Sequence, residues 1–191
     1  MVRDLWFAVF GNRHPVEVEI GPGRGEVILA WAAAAPERNF FAIERSSGRA
    51  TALGMAAARR GLPNMRVVAG DAACVLAHGV PDESVAAYHV YFPDPWPKTG
   101  HRHRRLFSGG LAQQLARTLV PEGTVHVASD LPGLVAEIST QCVAAGLVLD
   151  SGAGPPPRPT TAFEQRYARA GTSYARFFRP RTNSRGSGAR L

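Results

Sequence analysis

The chain has 191 residues and a mass of 20.4 kDa, with 45% hydrophobic and 19% charged residues, which suits one folded core and excludes a wholly disordered chain. Its longest apolar run, Val27 to Ala35, is far short of the roughly 20 residues a membrane-spanning helix needs, and Met1 to Trp6 shows no sign of a secretory leader. Net charge is +7, yet residues 1–150 hold 14 Arg and Lys against 14 Asp and Glu, while 151–191 hold eight Arg against one Glu, so a neutral body carries a basic end that suits either phosphate binding or a solubilising tail.

Val16-Glu17-Val18-Glu19-Ile20 alternates as a strand does and meets Gly21-Pro22-Gly23-Arg24-Gly25. A helix then runs over Glu26 to Ala35 and stops before Pro36. Asn39 to Ile43 is a second strand ending on Glu44, and Ser46 caps a helix that reaches Arg60 and closes at Gly61. Met65 to Ala69 is a third strand, followed by Gly70-Asp71 and a helical stretch to Ala77. A fourth, Val85 to Phe92, runs into Pro93-Asp94-Pro95-Trp96-Pro97. A helix over Arg104 to Leu119, a strand over Thr124 to Ala128 and a helix over Leu134 to Ala145 follow. Ser151 to Pro159 has the Gly and Pro content of a linker or mobile loop. Thr161 to Ala170 is expected to be helical, and Tyr174 to Arg179 to form a last, antiparallel strand.

Strands alternating with helices imply an α/β class with a doubly wound, mostly parallel sheet. One domain is expected over 1–180, with 181–191 a disordered basic tail. Cys74 and Cys142 lack metal-ligand spacing and are expected to be reduced core thiols of a cytoplasmic protein that binds no metal.

In such a sheet, ligands bind outside the carboxyl ends of the strands. Gly21, Gly23 and Gly25 fall there, where a bare backbone can turn sharply and approach a ligand. Glu44, 19 residues after Gly25, is placed to accept two ribose hydroxyls, and Asp71 follows the next strand. Each acid taken alone could be a helix-start residue, but the three features in this order favour a nucleoside-containing cofactor. A dinucleotide and S-adenosylmethionine both suit this end. The third glycine comes one residue early for GxGxxG, and Glu19 would repel a pyrophosphate but accept hydrogen bonds from a methionine ammonium, so S-adenosylmethionine fits better.

Three prolines stiffen the loop that holds Asp94 and Trp96. Lys98, the only lysine among 22 basic residues, follows it, and His101-Arg102-His103-Arg104-Arg105 could take phosphates. Phe92-Pro93-Asp94-Pro95-Trp96-Pro97-Lys98, followed by this basic run, resembles the bacterial single-chain tRNA (guanine-N7-)-methyltransferase family over about Val16 to Arg179. Glu19-Ile20-Gly21, Ile43-Glu44, Asp71-Ala72, Ser129-Asp130 and Thr161-Ala162-Phe163-Glu164 agree in order.

The resemblance implies a Rossmann-like methyltransferase fold in which Glu19, Gly21, Gly23, Gly25, Glu44, Asp71 and Asp94 contact S-adenosylmethionine. It makes Asp94 the catalytic residue, with Lys98, Asp130, Thr161, Ala162, Phe163 and Glu164 contacting substrate. Gly100, His101, Arg102, His103, Arg104 and Arg105 would contact RNA. The implied activity is methylation of a guanine N7 in the tRNA variable loop, by a monomer or weak homodimer. Gly100 stands where the family usually has Arg, and Ala162 where it has Lys. These departures keep two alternatives open: a methyltransferase for another RNA or a small molecule, and a non-catalytic nucleic-acid-binding relative.

Overall fold

The computed structural model describes residues 5–98, 100–101, 105–152, 154–167 and 171–181. Arg102, His103 and Arg104, and the expected tail beyond Arg181, lie outside them. The described elements, in order, are α1 (Leu5–Phe10), β1 (Val16–Ile20), α2 (Glu26–Ala34), β2 (Asn39–Glu44), α3 (Ser47–Arg59), β3 (Met65–Ala69), α4 (Ala72–Gly79) and β4 (Val85–Tyr91). A 3-10 turn (Leu106–Gly109) then leads to α5 (Leu111–Thr118), β5 (Leu119–Ser129), α6 (Pro132–Ala144), β6 (Val148–Asp150), α7 (Ala162–Tyr167) and β7 (Ser173–Phe178).

All strands join one seven-stranded sheet in the order β3-β2-β1-β4-β5-β7-β6. β1 to β5 run parallel, and β7 lies antiparallel between β5 and β6. The order reverses between β1 and β4, and it is at the carboxyl ends flanking such a switch point that open α/β sheets bind their ligands. The expected doubly wound sheet and antiparallel last strand are both present.

The alternation in β1 decides the two faces. Val16, Val18 and Ile20 join Ile43, Leu76, Tyr88, Val90, Leu111, Leu115, Val125, Val127 and Ile138 in the larger core, on the side of α4, α5 and α6. Ile28, Leu29, Phe40, Ala42, Leu53 and Met65 form a smaller core under α2 and α3. Glu17 and Glu19 point to that second face. There, His89 Nε2 lies 2.8 Å from Glu17 Oε2, and its Nδ1 lies 3.0 Å from the Tyr91 hydroxyl. His126 stacks on His89 at 5.0 Å and bonds Tyr174 at 2.6 Å. Burial, with the His89 charge, pushes the His126 pKa down to about 3.

Three expectations need correction. The helix expected over 104–119 is a 3-10 turn and a shorter α-helix, parted at Gly110, whose φ of 76° no continuous helix allows. The short helix α1 and edge strand β6 were not anticipated. Cys74 is exposed, so only Cys142 is a core thiol, and burial pushes its pKa up to about 12.

Candidate active site

The ends of β1 to β5 and the segment that leads into α7 carry the candidate residues along the carboxyl edge of the sheet. The first is the turn after β1. Gly21 N–H donates to Ile43 O at 2.9 Å, which carries the ladder one residue past the strand, and Gly25 N–H closes the turn on Pro22 O at 2.8 Å. Gly21, Gly23 and Gly25 have φ of 70°, 57° and 74°. A Cβ at Gly21 or Gly23 would meet nothing within 4 Å, whereas one at Gly25 would come within 2.2 Å of Leu53 Cδ1. Two of the glycines therefore leave open space at the rim, and the third lets the turn pack on α3.

Glu19, just before the turn, is 5% exposed. Its Oε2 is buried and has no hydrogen-bond partner. Burial raises its pKa to about 8, against the opposing pull of the Ile28 N–H and the Arg158 charge. A buried carboxyl with an unused oxygen at a ligand-binding edge is poised to receive a donor.

Glu44 is also buried, but its carboxylate is engaged. Oε1 accepts from Ser46 N at 2.9 Å and Arg49 Nε at 3.1 Å, and Oε2 accepts from Gly23 N at 3.3 Å. The long Gly23 bond leaves Oε2 the freer oxygen, and the Arg49 side chain is 62% exposed. Asp71 caps α4 by accepting from Cys74 N at 3.2 Å. Its structural reading is thus realised, while its exposed position leaves capacity for a ligand.

The second motif begins where Phe92 N–H donates to Ala128 O at 2.8 Å. Phe92 and Trp96 have φ of 50° and 40°, left-handed conformations that are strained for aromatic residues and gather at functional sites. Asp94 lies exposed between them. Arg105 braces the loop: Nε donates to Pro95 O at 2.8 Å, Nη2 to Trp96 O at 3.5 Å, and Nη1 pairs with Glu137 of α6. The Arg105 guanidinium is therefore occupied inside the fold. His101 packs edge-on to Trp96 at 5.8 Å, and its N–H donates to Lys98 O at 2.9 Å. Lys98 and Gly100 are exposed. Asp130 directly follows β5, with Ser129 Oγ 3.4 Å from its Oδ1.

Thr161-Ala162-Phe163-Glu164 starts α7 as a capping box. Thr161 N–H donates to Glu164 Oε2 at 2.9 Å, and Glu164 N–H donates to Thr161 Oγ1 at 3.2 Å. Ala162 N–H reaches Glu26 Oε2 at 2.7 Å, and the Phe163 ring lies 5.1 Å from that of Phe92. The two motifs, far apart in sequence, thus share one rim.

Arg158 joins this rim and was not singled out by the sequence reading. Its Nη1 and Nη2 each lie 2.6 Å from an oxygen of Glu164, and its guanidinium sits 4.6 Å from the Tyr91 ring centroid. Burial would raise the Glu164 pKa, but the bonds from Arg158 and Thr161 outweigh it and hold the carboxyl ionised below its ordinary value. A signal was available, since Arg158 is the only charged residue between Asp150 and Glu164. The expected linker is fastened here, with Trp31 Nε1 donating to Pro157 O at 3.0 Å.

No helix among the described residues is long and apolar enough to cross a membrane, and none of their His, Cys, Asp and Glu side chains group to hold a metal. Residues 13–177 match the model of a family described as "Putative methyltransferase". The tRNA (guanine-N(7)-)-methyltransferase of Vibrio vulnificus (strain YJ016) is 38% identical over 173 residues, covering 87% of this chain and 72% of its own. The enzyme of the same name from Hydrogenovibrio crunogenus is 38% identical over 169 residues, covering 85% and 70%. Among solved structures, the 16S rRNA (adenine(1408)-N(1))-methyltransferase of Catenulisporales acidiphilia, crystallised with its cosubstrate SAM, shares the fold. Its TM-score is 0.64 at 16% identity, covering 96% of this chain and 94% of that one. With a family model spanning nearly all of its sheet and relatives this similar along most of their own length, the chain belongs to the tRNA (guanine-N(7)-)-methyltransferase family.

Proposed function

We propose that the protein transfers a methyl group from S-adenosylmethionine to N7 of a guanine in the variable loop of tRNA, giving 7-methylguanosine. The observation that carries this reading is the meeting of two site halves on one rim. The open glycine turn with its unsatisfied Glu19 oxygen fits the cofactor, and beside it Phe92 touches Phe163 and brings the loop of Asp94 to Glu164.

The bound cofactor would supply an electrophilic sulfonium methyl. Glu19 would accept from the methionine ammonium, the amides of the glycine turn would approach the nucleoside, and Glu44 Oε2 would accept from the ribose. Guanine N7 has an in-plane lone pair and no proton, so a general base is not required, and the chain's task is alignment. Well-oriented pairs gain roughly 7–11 kcal/mol from proximity. Positive charge moves onto the purine as the bond forms, and Asp94, Asp130 and the ionised Glu164 would stabilise it while accepting from guanine N1–H and N2–H. Lys98, Arg102 and Arg104 would hold the RNA phosphates, while Arg105 braces the loop.

The test is transfer from labelled S-adenosylmethionine to unmodified tRNA transcripts, followed by digestion and identification of the nucleoside. 7-Methylguanosine is expected. Cofactor binding with no methylated tRNA would move the reading to another acceptor. In the same assay Asp94→Asn should keep cofactor affinity and lower turnover, and an unchanged rate would remove Asp94 from the mechanism.

A further inference from the structure

A buried acid and a buried base near the rim each have an unused hydrogen-bonding atom. Glu19 Oε2 is one, and Arg158 Nε is the other. The Arg158 side chain is 9% exposed, so its spare donor cannot be left to bulk solvent. Uncompensated buried polar atoms of this kind are rare in folded proteins and call for a partner. Glu164 does not exhaust Arg158. A guanidinium has five N–H donors, and the fork to Glu164 uses one from each terminal nitrogen, leaving Nε and an adjacent terminal hydrogen as a second edge.

The sheet register puts the two groups in one place. Glu19 sits opposite His89 in the β1–β4 pairing, Tyr91 follows on the same face, and Arg158 lies over the Tyr91 ring. Glu19 and Arg158 feel each other's charge but form no ion pair. An isolated cation would satisfy Glu19 and leave Arg158 wanting, and an isolated anion would do the reverse. A zwitterion with both charges on one carbon suits both.

We infer that Arg158 binds the α-carboxylate of the cofactor's methionine end while Glu19 accepts from the ammonium on the same carbon. This rests on the cofactor reading above and adds a binding residue to it. The Glu164 fork pre-sets the guanidinium plane, so its second edge meets the carboxylate without a search of rotamers.

The experiment is calorimetric titration of the full chain, without RNA, with S-adenosylmethionine, S-adenosylhomocysteine and decarboxylated S-adenosylmethionine. The last ligand keeps the ammonium and lacks the carboxylate. The wild-type chain is expected to bind the two zwitterions at least tenfold more tightly than the decarboxylated ligand. Arg158→Gln should lose at least tenfold for the zwitterions and little for the decarboxylated ligand, with Arg158→Lys between.

Equal wild-type affinity for all three ligands would overturn the inference and leave the cofactor reading intact. So would an Arg158→Gln variant, folded by circular dichroism, that weakens all three alike. If Arg158→Gln fails to fold, Arg158→Lys carries the test: it should narrow the wild-type preference for the zwitterions, and an undiminished preference would overturn the inference. A wild-type chain that binds none of the three would overturn the cofactor reading and this inference together, a result distinct from binding without discrimination.

Discussion

Glu17 and Glu19 share a strand and a face, yet their surroundings send them in opposite directions. Burial would raise the Glu17 pKa, but the His89 bond and the charges of His89 and Arg38 outweigh it and leave it lowered. Glu19 has only the Ile28 N–H and a more distant Arg158 to set against burial, and its pKa rises from 4.5 to about 8. At neutral pH the folded chain therefore holds a proton on Glu19 that the unfolded chain has lost. Between these two values the native state binds more protons than the unfolded state, so this group makes stability fall as pH rises. Glu19→Gln should remove that slope and raise stability at pH 8.5 by roughly 1–3 kcal/mol, read from denaturant melts at pH 6 and 8.5. Receiving a methionine ammonium requires the ionised carboxylate, so cofactor binding at pH 6.5 should release a proton and grow tighter toward pH 8. Titration calorimetry in buffers of different ionisation enthalpy would show this as a buffer-dependent heat, absent in Glu19→Gln. A buffer-independent wild-type heat would mean that Glu19 does not receive the ammonium.

At the scale of elements, the glycine turn and the proline-rich loop each depend on one anchor. Gly25 combines a φ of 74° with a Cβ position 2.2 Å from buried Leu53. Gly25→Ala should destabilise by about 2–4 kcal/mol, seen as a drop in Tm of roughly 5–15 °C. Gly54, inside α3 with open space at its Cβ position, is the control, and Gly54→Ala should stabilise by about 0.5–1 kcal/mol. Equal losses at both sites would show that backbone sign and packing do not govern the turn. Arg105 ties the strained loop around Asp94 to α6 through Pro95, Trp96 and Glu137. Arg105→Ala should lower turnover several-fold at unchanged cofactor affinity, and an unchanged rate would show that the loop holds its shape unaided. The sequence could place β1 to β4 and the acids at their ends, because alternation, glycine turns and serine or aspartate caps are local signals. It could not place β6, whose exposed Val148 and Leu149 resemble loop residues until β7 pairs with them. Nor could it show that Arg105 turns inward or that Arg158 reaches Tyr91, since both depend on contacts between elements distant in the chain.

For the whole molecule, the basic excess is less available than a residue count suggests. Of the eight Arg in 151–191, Arg158, Arg176, Arg179 and Arg181 pair with Glu164, Asp150, Glu83 and Glu122. Arg38, Arg49, Arg105 and Arg117 pair likewise with Glu17, Glu44, Glu137 and Asp82. A guanidinium already neutralised by a carboxylate releases few counterions when RNA binds, so these paired arginines should carry little of the phosphate-binding load, and Arg102 and Arg104, which follow the Asp94 motif in sequence, are the first others to test. Each phosphate neutralised contributes about 0.7–0.9 to the slope of log K against log salt. Replacing Arg102 and Arg104 together with Gln should therefore weaken tRNA binding and flatten that slope by roughly 1–2. Arg179→Gln is the contrasting variant. Its side chain is 19% exposed and holds Glu83 and the Leu119 carbonyl, so it should lose about 1–2 kcal/mol of stability and leave the slope unchanged. Filter binding of one tRNA transcript across a salt series would read both variants. An unaltered slope in the double variant would place the RNA on another surface, and a flattened slope in Arg179→Gln would mean that its ion pair opens to take phosphate.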